Sequence, residues 1–121
     1  ENKTEALLAL ENCIRLDPKD IDYYHMMAGF IVDNQFARDP VTEEMISVSA
    51  NNTDEYAVPF ILAGLSVSPD SIQRAADFLR RNNFNTYLDQ VIDTYQSGST
   101  NYQGAFPELN FGAVEFCTRN S

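Results

Sequence analysis

Apolar residues recur every three or four positions along most of this chain, which is the spacing of one face of an α-helix. The pattern is densest in residues 18–36, which open with Asp17 and Pro18 and carry apolar side chains around most of the helical surface. A capping side chain followed by proline at the first helical position marks a helix start. A helix that is apolar on most sides is buried by several neighbours, so we predict that residues 18–36 form a buried central helix.

Prolines separate the other segments that have helical spacing, and four of the five stand where a helix is predicted to begin. The other predicted helices cover residues 4–16, a segment from Asp39 and Pro40 to Asn51, residues 54–65, residues 68–81, the part between residues 82 and 98, and a last segment that starts at Phe106 and Pro107. Pro59 is the exception. It either kinks one helix over residues 54–65 or follows a short turn ahead of a helix that starts near Val58. Residues 97–104 are predicted to form a loop.

Strand-type alternation of apolar and polar residues is nowhere sustained. A chain of 121 residues fits one domain. We therefore predict an all-α fold, a single helical domain over residues 1–121 with six or seven short helices around a central helix at about 18–36. No apolar run reaches the ~20 residues that span a bilayer, so no membrane span is predicted.

The chain is strongly acidic, with eighteen acidic against eight basic residues and a net charge of −10. Phosphate backbones and anionic membrane surfaces would be repelled, so nucleic acid is not an expected partner. The one basic doublet, Arg80 and Arg81, falls where a helix is predicted to end and is explained by the negative end of the helix dipole.

Two cysteines, Cys13 and Cys117, stand near opposite ends of the chain on the apolar faces of predicted helices. A disulfide between them would close a loop of about 100 residues and contribute up to about 4–5 kcal/mol in the chain-entropy model. Such a bond fits an oxidising compartment. The alternative is two unpaired cysteines buried as small apolar residues. We predict the disulfide.

Two N-glycosylation sequons begin at Asn2 and Asn51 and fit a secreted glycoprotein. The chain begins at Glu1 without a methionine or signal sequence, as expected of a processed secreted chain or of a trimmed one. We therefore expect an extracellular location.

Few groupings in the sequence could support catalysis. His25 is the single histidine, and a packed, hydrogen-bonded role or a pH-sensitive one would both suit its place in the central helix. One histidine and two distant cysteines do not make a zinc site of the usual kind. The sequence also lacks a nucleophile elbow and a glycine-rich phosphate loop. We predict no enzyme activity, no metal and no cofactor.

Aromatic residues make up twelve per cent of the chain. A well-filled core is one interpretation, and a cavity between helices that holds a small apolar ligand is the other. The residues that we expect to line such a cavity are aromatic or flexible and lie on predicted buried faces: Tyr24, Met27, Phe30, Phe60, Phe78 and Tyr87. We predict a secreted, non-catalytic carrier or sequestering protein for a small hydrophobic ligand. The alternative is an extracellular interaction or assembly domain with another protein as partner, whose oligomerisation could respond to pH.

Two resemblances bear on this prediction. Residues 7–27 and the following Ala28–Gly29, with Ala9, Cys13 to Pro18 and Tyr23–Tyr24, resemble a tetratricopeptide helix junction, but no second copy follows. In size, acidity and helix number the chain is similar to the insect odorant-binding carriers, although it lacks their framework of four or six cysteines. The second resemblance implies a helical carrier and assigns no binding residue.

Overall fold

The computed structural model describes residues 2–119, and in that range seven α-helices follow one another with one β-hairpin between the second and the third. The helices are α1 (Lys3–Leu16), α2 (Ile21–Asn34), α3 (Thr53–Val67), α4 (Ile72–Arg81), α5 (Asn85–Gln96), α6 (Tyr102–Ala105) and α7 (Gly112–Thr118). The hairpin pairs β1 (Phe36–Arg38) with β2 (Met45–Ser47), and short 3₁₀ turns at Ala50–Asn52 and Pro69–Ser71 precede α3 and α4. The predicted all-α class is confirmed.

Side-chain and backbone caps set the ends of α2. Asp20 caps its start, where the carboxylate accepts a hydrogen bond from the amide of Asp22. Gln35 ends it in the left-handed conformation, with φ at 50°, and donates its amide hydrogen to the carbonyl of Ile31. The helix is therefore shorter at both ends than the predicted span of 18–36.

The helix predicted to begin at Asp39 and Pro40 is wrong, because this segment forms the β-hairpin. The Asp39 carboxylate accepts hydrogen bonds from the amides of Val41 and Thr42 at 2.8 and 3.0 Å, so the Asp-Pro pair closes a turn. Glu43 continues the turn with a positive φ of 64°. The following residues then pair with β1 in antiparallel register, with Ala37 opposite Ile46. The other Asp-Pro pair, Asp17 and Pro18, also forms a turn, and α2 begins after it at Ile21.

Pro59 lies inside one continuous helix, which agrees with the first of the two predicted arrangements. Its ring nitrogen carries no hydrogen, so it cannot donate to the Glu55 carbonyl one turn earlier. Tertiary packing offsets this loss, since α3 buries nine of its fifteen residues.

The end of the chain also differs from the prediction. Residues 97–104, predicted as a loop, overlap the first three residues of the short helix α6. The last helix begins at Gly112 and not near Pro107, because the amide of Gly112 donates to the side chain of Asn110 and the preceding residues form a turn. A Cβ atom at Gly112 would lie 2.3 Å from the Pro40 carbonyl oxygen, so glycine allows α7 to approach the hairpin turn.

The hydrophobic core is one continuous cluster to which every helix contributes. Helix α2 contributes four fully buried residues, Tyr24, Met27, Ala28 and Ile31, and leaves its opposite side in solvent. Helix α3 is enclosed on most sides, so the buried centre of the fold is the α2–α3 pair with α3 the deeper member. None of the helices in the described range is long and apolar enough to cross a membrane.

The predicted disulfide is not present, and both Cys13 and Cys117 are free. Helices α1 and α7 do pack together, and the Arg15 guanidinium donates to the Phe116 carbonyl. However, the α1 residues whose charges act on Cys117 are Glu11 and Arg15, which lie about one helical turn apart. Cys13 lies two positions from each of them, about 200° round the helix, so its thiol lies on another face.

A buried ion pair joins α1 to the hairpin. Glu11 is only 2% exposed, and Arg38 donates two hydrogen bonds to its carboxylate. The Arg38 guanidinium lies 4.1 Å from the centroid of the Phe116 ring, and that of Arg119 lies 4.8 Å from it. Arg119 in turn pairs with Glu43 in the hairpin turn. This group of charges connects α1, the hairpin and α7.

Candidate functional site

The residues predicted to line an internal cavity are mostly packed core. Tyr24, Met27, Phe60 and Phe78 are at most 4% exposed, while Phe30 and Tyr87 are half-buried. Met27 and Phe60 do line a common cavity, but its volume is about 10 Å³. That is room for about one water molecule, so a ligand at this point would require the core to open.

The two tyrosines of this set have separate structural contacts. The Tyr24 hydroxyl donates to the Pro18 carbonyl at 2.6 Å, which ties α2 to the turn before it. Tyr87 stacks on Phe106 with ring centroids 6.3 Å apart. Burial, reinforced by the nearby Asp54 carboxylate, raises the pKa of Tyr87 to about 12. The structure does not bring Tyr24 and Tyr87 together with the remaining four residues in one cavity.

A larger opening lies at the surface between α2 and α4, and we call it the α2–α4 cleft. Its volume is about 270 Å³, and it is lined by His25, Met26 and Gly29 from α2 and by Arg74, Phe78 and Arg81 from α4. On α4 these residues stand at i, i+4 and i+7, the spacing of one helical face. Of the predicted ligand-binding residues, Phe78 is the one that lines this cleft.

His25 is the central polar group of the α2–α4 cleft. Its ring meets Phe78 edge to face, with centroids 6.2 Å apart and an interplanar angle of 81°. Its Nε2 atom is buried and has no hydrogen-bond partner within residues 2–119. Burial lowers the pKa of His25 to about 4, with Arg74 and Arg81 lowering it further and Asp22 opposing them. The imidazole is therefore neutral at pH 7.

The two arginines of the cleft have different surroundings. Arg74 pairs with Asp22 at the start of α2, so its charge is balanced across the cleft. The Arg81 guanidinium lies 5.8 Å from the centroid of the Phe78 ring. Within the described part of the chain, Arg81 forms no salt bridge.

Apolar surface and free space complete the cleft. Met26 is 53% exposed and places an apolar side chain at the opening of the cleft. A Cβ atom at Gly29 would meet no other atom within 4 Å, so a side chain at this position would project into open space. The cleft thus combines an apolar surface, a neutral imidazole and an arginine without a carboxylate partner.

The sequence held a signal for this cleft that the periodicity analysis missed. The spacing of Arg74, Phe78 and Arg81 places two cations beside an aromatic ring on one face of a predicted helix. The prediction from the sequence assigns Arg81 to the helix dipole alone. That α2 would supply the opposite wall depends on tertiary packing and could not be derived from helix spacing.

The other openings are more polar. One of about 510 Å³ follows residues 106–112 and includes the acids Glu108 and Glu115, and another of about 460 Å³ lies beside Lys3 and Asp33. No group of three or more histidine, cysteine, aspartate or glutamate side chains within residues 2–119 is placed to hold a metal ion. These features leave the α2–α4 cleft as the strongest candidate for a ligand site.

The chain matches no protein-family model, no curated protein and no solved structure. The candidate site therefore rests on the geometry of this chain alone.

Proposed function

We propose that this protein is a non-catalytic binding protein whose ligand is a small molecule with an apolar part, held in the α2–α4 cleft. The observation that carries the proposal is the juxtaposition, at one opening, of exposed Met26 with the largely buried rings of His25 and Phe78. Ligand sites combine an apolar lining with a few convergent polar groups in this way. The proposal keeps the predicted carrier function and moves its site from the interior to the surface.

Two features support a small ligand in particular. The cleft volume of about 270 Å³ lies just below the range of about 300–1,000 Å³ typical of small-molecule sites. The Nε2 atom of His25 is buried without a hydrogen-bond partner within residues 2–119, and a ligand that reached it after a rotation of the ring would relieve a cost of about 1–3 kcal/mol.

The test uses Gly29, because a side chain there fills the cleft without disturbing the core. Replacing glycine inside a helix with leucine also favours the helix by about 0.5–1 kcal/mol, so Gly29→Leu is expected to fold. Thr86→Leu adds the same side chain at an exposed position of α5 and serves as the matched control. Binding would be followed by the backbone amide shifts of labelled protein titrated with 1-octanol, octanoate and octylamine.

We expect at least one of these three probes to shift the amides around His25, Gly29 and Phe78. The shifts should disappear in Gly29→Leu and persist in Thr86→Leu. If none of the probes shifts these amides, or if Gly29→Leu binds like the wild type, the α2–α4 cleft is not the ligand site.

Extracellular assembly is the second candidate, and exposed apolar side chains outside the cleft favour it. Leu16 is 85% exposed at the end of α1, and Val41 is 77% exposed in the hairpin turn. Surface side chains of this kind are usual in contacts between proteins. Sedimentation at about pH 7 and about pH 5 would test assembly, because protonation of carboxylates reduces repulsion between acidic chains. A monomer at both pH values would argue against it.

Secretion and glycosylation remain predictions. The disulfide that favoured an oxidising compartment is not formed, so secretion now depends on the sequons at Asn2 and Asn51, both of which are exposed. Treating the protein from its natural source with a glycosidase and measuring its mass would test both. A mass equal to that of the bare chain before treatment would exclude glycosylation at these positions.

A further inference from the structure

We infer that the ligand of the α2–α4 cleft is a small amphipathic carboxylate, with its charged group at Arg81 and its apolar chain against Met26 and Phe78. This inference rests on the proposed function and adds the charge and polarity of the ligand. It explains why one of the cations that form no salt bridge within residues 2–119 lies in this cleft, in a protein that is strongly acidic.

The first observation that supports a carboxylate ligand is the distribution of the positive charges. The chain has eight lysines and arginines against eighteen acids. Four arginines pair with carboxylates within residues 2–119: Arg38 with Glu11, Arg74 with Asp22, Arg80 with Asp77, and Arg119 with Glu43. Arg81, Lys3 and Lys19 form no salt bridge in this part of the chain, and of these three only Arg81 lines the cleft. Its guanidinium instead lies at the Phe78 ring, within the lining of the cleft.

The second observation that supports a carboxylate ligand is the set of charges that face the cleft. None of its lining residues is acidic, and the Asp22 carboxylate is engaged by Arg74. His25 is neutral, so it offers a hydrogen bond but no charge. The carbonyl groups at the end of α4 also attract Arg81, but they supply only a partial negative charge. About one positive charge therefore remains for a ligand.

The form of the ligand follows from this charge and from the apolar surface. A guanidinium binds a carboxylate through two parallel hydrogen bonds, which gives direction as well as attraction. One uncompensated cation matches a single negative charge better than the double charge of a phosphate monoester. Exposed Met26 provides apolar contact for a short chain attached to that carboxylate, with the largely buried Phe78 ring beneath it.

The experiment compares octanoate, 1-octanol and octylamine, which share one apolar chain and differ in the charge of the head. Dissociation constants would be measured from amide shifts for the wild type, Arg81→Gln and Arg80→Gln. Arg80 is the neighbouring residue on α4, is exposed and does not line the cleft, so its variant removes the same charge from the same helix. We expect the wild type to bind octanoate about five- to tenfold more tightly than 1-octanol. Arg81→Gln should abolish this preference, and Arg80→Gln should leave it within about twofold.

Three results would overturn the inference. Equal binding of octanoate and 1-octanol would show that the cleft does not select charge, while the proposed function would stand. Preference for octylamine would show that the overall acidity of the protein dominates. An equal loss of preference in Arg80→Gln and Arg81→Gln would show a general charge effect. Binding of none of the three probes would refute the proposed function itself.

Discussion

Arg38 holds the buried carboxylate of Glu11 through two hydrogen bonds, one to each carboxylate oxygen, from Nε at 2.6 Å and from Nη2 at 2.8 Å. The hydrogen bond and the negative charge of Glu11 raise the pKa of Arg38 against the opposing effect of burial. Removing one member of such a pair leaves the other charged and buried without compensation. We expect Glu11→Leu and Arg38→Leu each to lower the free energy of unfolding by about 3–5 kcal/mol in urea denaturation.

The double variant Glu11→Leu/Arg38→Leu separates charge from packing. Replacing both members of a buried pair with apolar residues is often neutral or stabilising, so this variant should recover most of the loss. A double variant that loses the sum of the two single effects would show that the pair is not coupled.

Tyr102 carries a buried hydroxyl without a hydrogen-bond partner inside the described range. Removing an unsatisfied buried polar atom relieves its desolvation cost, so Tyr102→Phe should raise the free energy of unfolding by about 1 kcal/mol. Tyr24→Phe is the matched comparison, since it removes a hydroxyl that donates to the Pro18 carbonyl, and it should lower stability by about 1 kcal/mol. Both would be measured by denaturation, and a destabilising Tyr102→Phe would reveal a partner for that hydroxyl.

The two thiols should differ in reactivity. Burial raises the pKa of Cys117 to about 12, and the nearby Glu11 carboxylate adds to the effect, so little thiolate forms at neutral pH. Cys13 is half-buried on another face of α1. At about pH 8, iodoacetamide should alkylate Cys13 before Cys117 in the folded protein, as read by mass spectrometry of peptides. Recovery of a peptide pair joined by a disulfide would instead support the bond predicted from the sequence.

His25 should make the folded protein less stable in acid. Its pKa falls to about 4 on folding from the usual 6.5, so the unfolded chain binds a proton more readily between these values. This contribution is fully present above about pH 6.5 and is lost as the pH falls towards 4. Because the His25 ring is partly exposed, this contribution to the free energy of unfolding is limited to about 1–2 kcal/mol.

The measurement compares the wild type with His25→Gln at about pH 7.5 and about pH 4.5. The wild type should lose about 1–2 kcal/mol more stability than the variant, because carboxylates such as Asp39 and Glu43 titrate in both proteins. If the wild type and His25→Gln lose equal stability between these pH values, His25 keeps an ordinary pKa in the folded state.

Periodicity predicted the helices well and the turns poorly. The spacing of apolar residues located all five of the longer helices, because each buries one face against the core. The Asp-Pro signal failed at Asp39, where the carboxylate bonds the next amides and the chain turns back on itself. Both a helix start and a turn use that same side-chain hydrogen bond, so local sequence alone does not separate them.

The site was less predictable than the fold. The positions of Tyr24, Met27, Phe60 and Phe78 on buried faces were predictable, but whether the space between them was filled depended on how the helices met. Glu11 shows what could have been recognised. It lies on the same stripe as Leu7 and Ile14, and a carboxylate on an apolar stripe requires a cationic partner. The identity of that partner, Arg38, required the hairpin that the sequence analysis missed.

The contacts of α7 bear on the order in which the chain folds. Most helices pack against their neighbours in the sequence: α1 on α2, α2 on α3, α3 on α4 and α4 on α5. Contacts between helices that are close in the sequence form quickly during folding. Helix α7 instead meets α1 across 101 residues, at the contact between Arg15 and Phe116. Closing so long a loop is entropically costly, so this contact should form after the transition state. Shortening the Phe116 side chain should then accelerate unfolding with little change in the folding rate. The last helix would thus dock late, on a core that has already assembled.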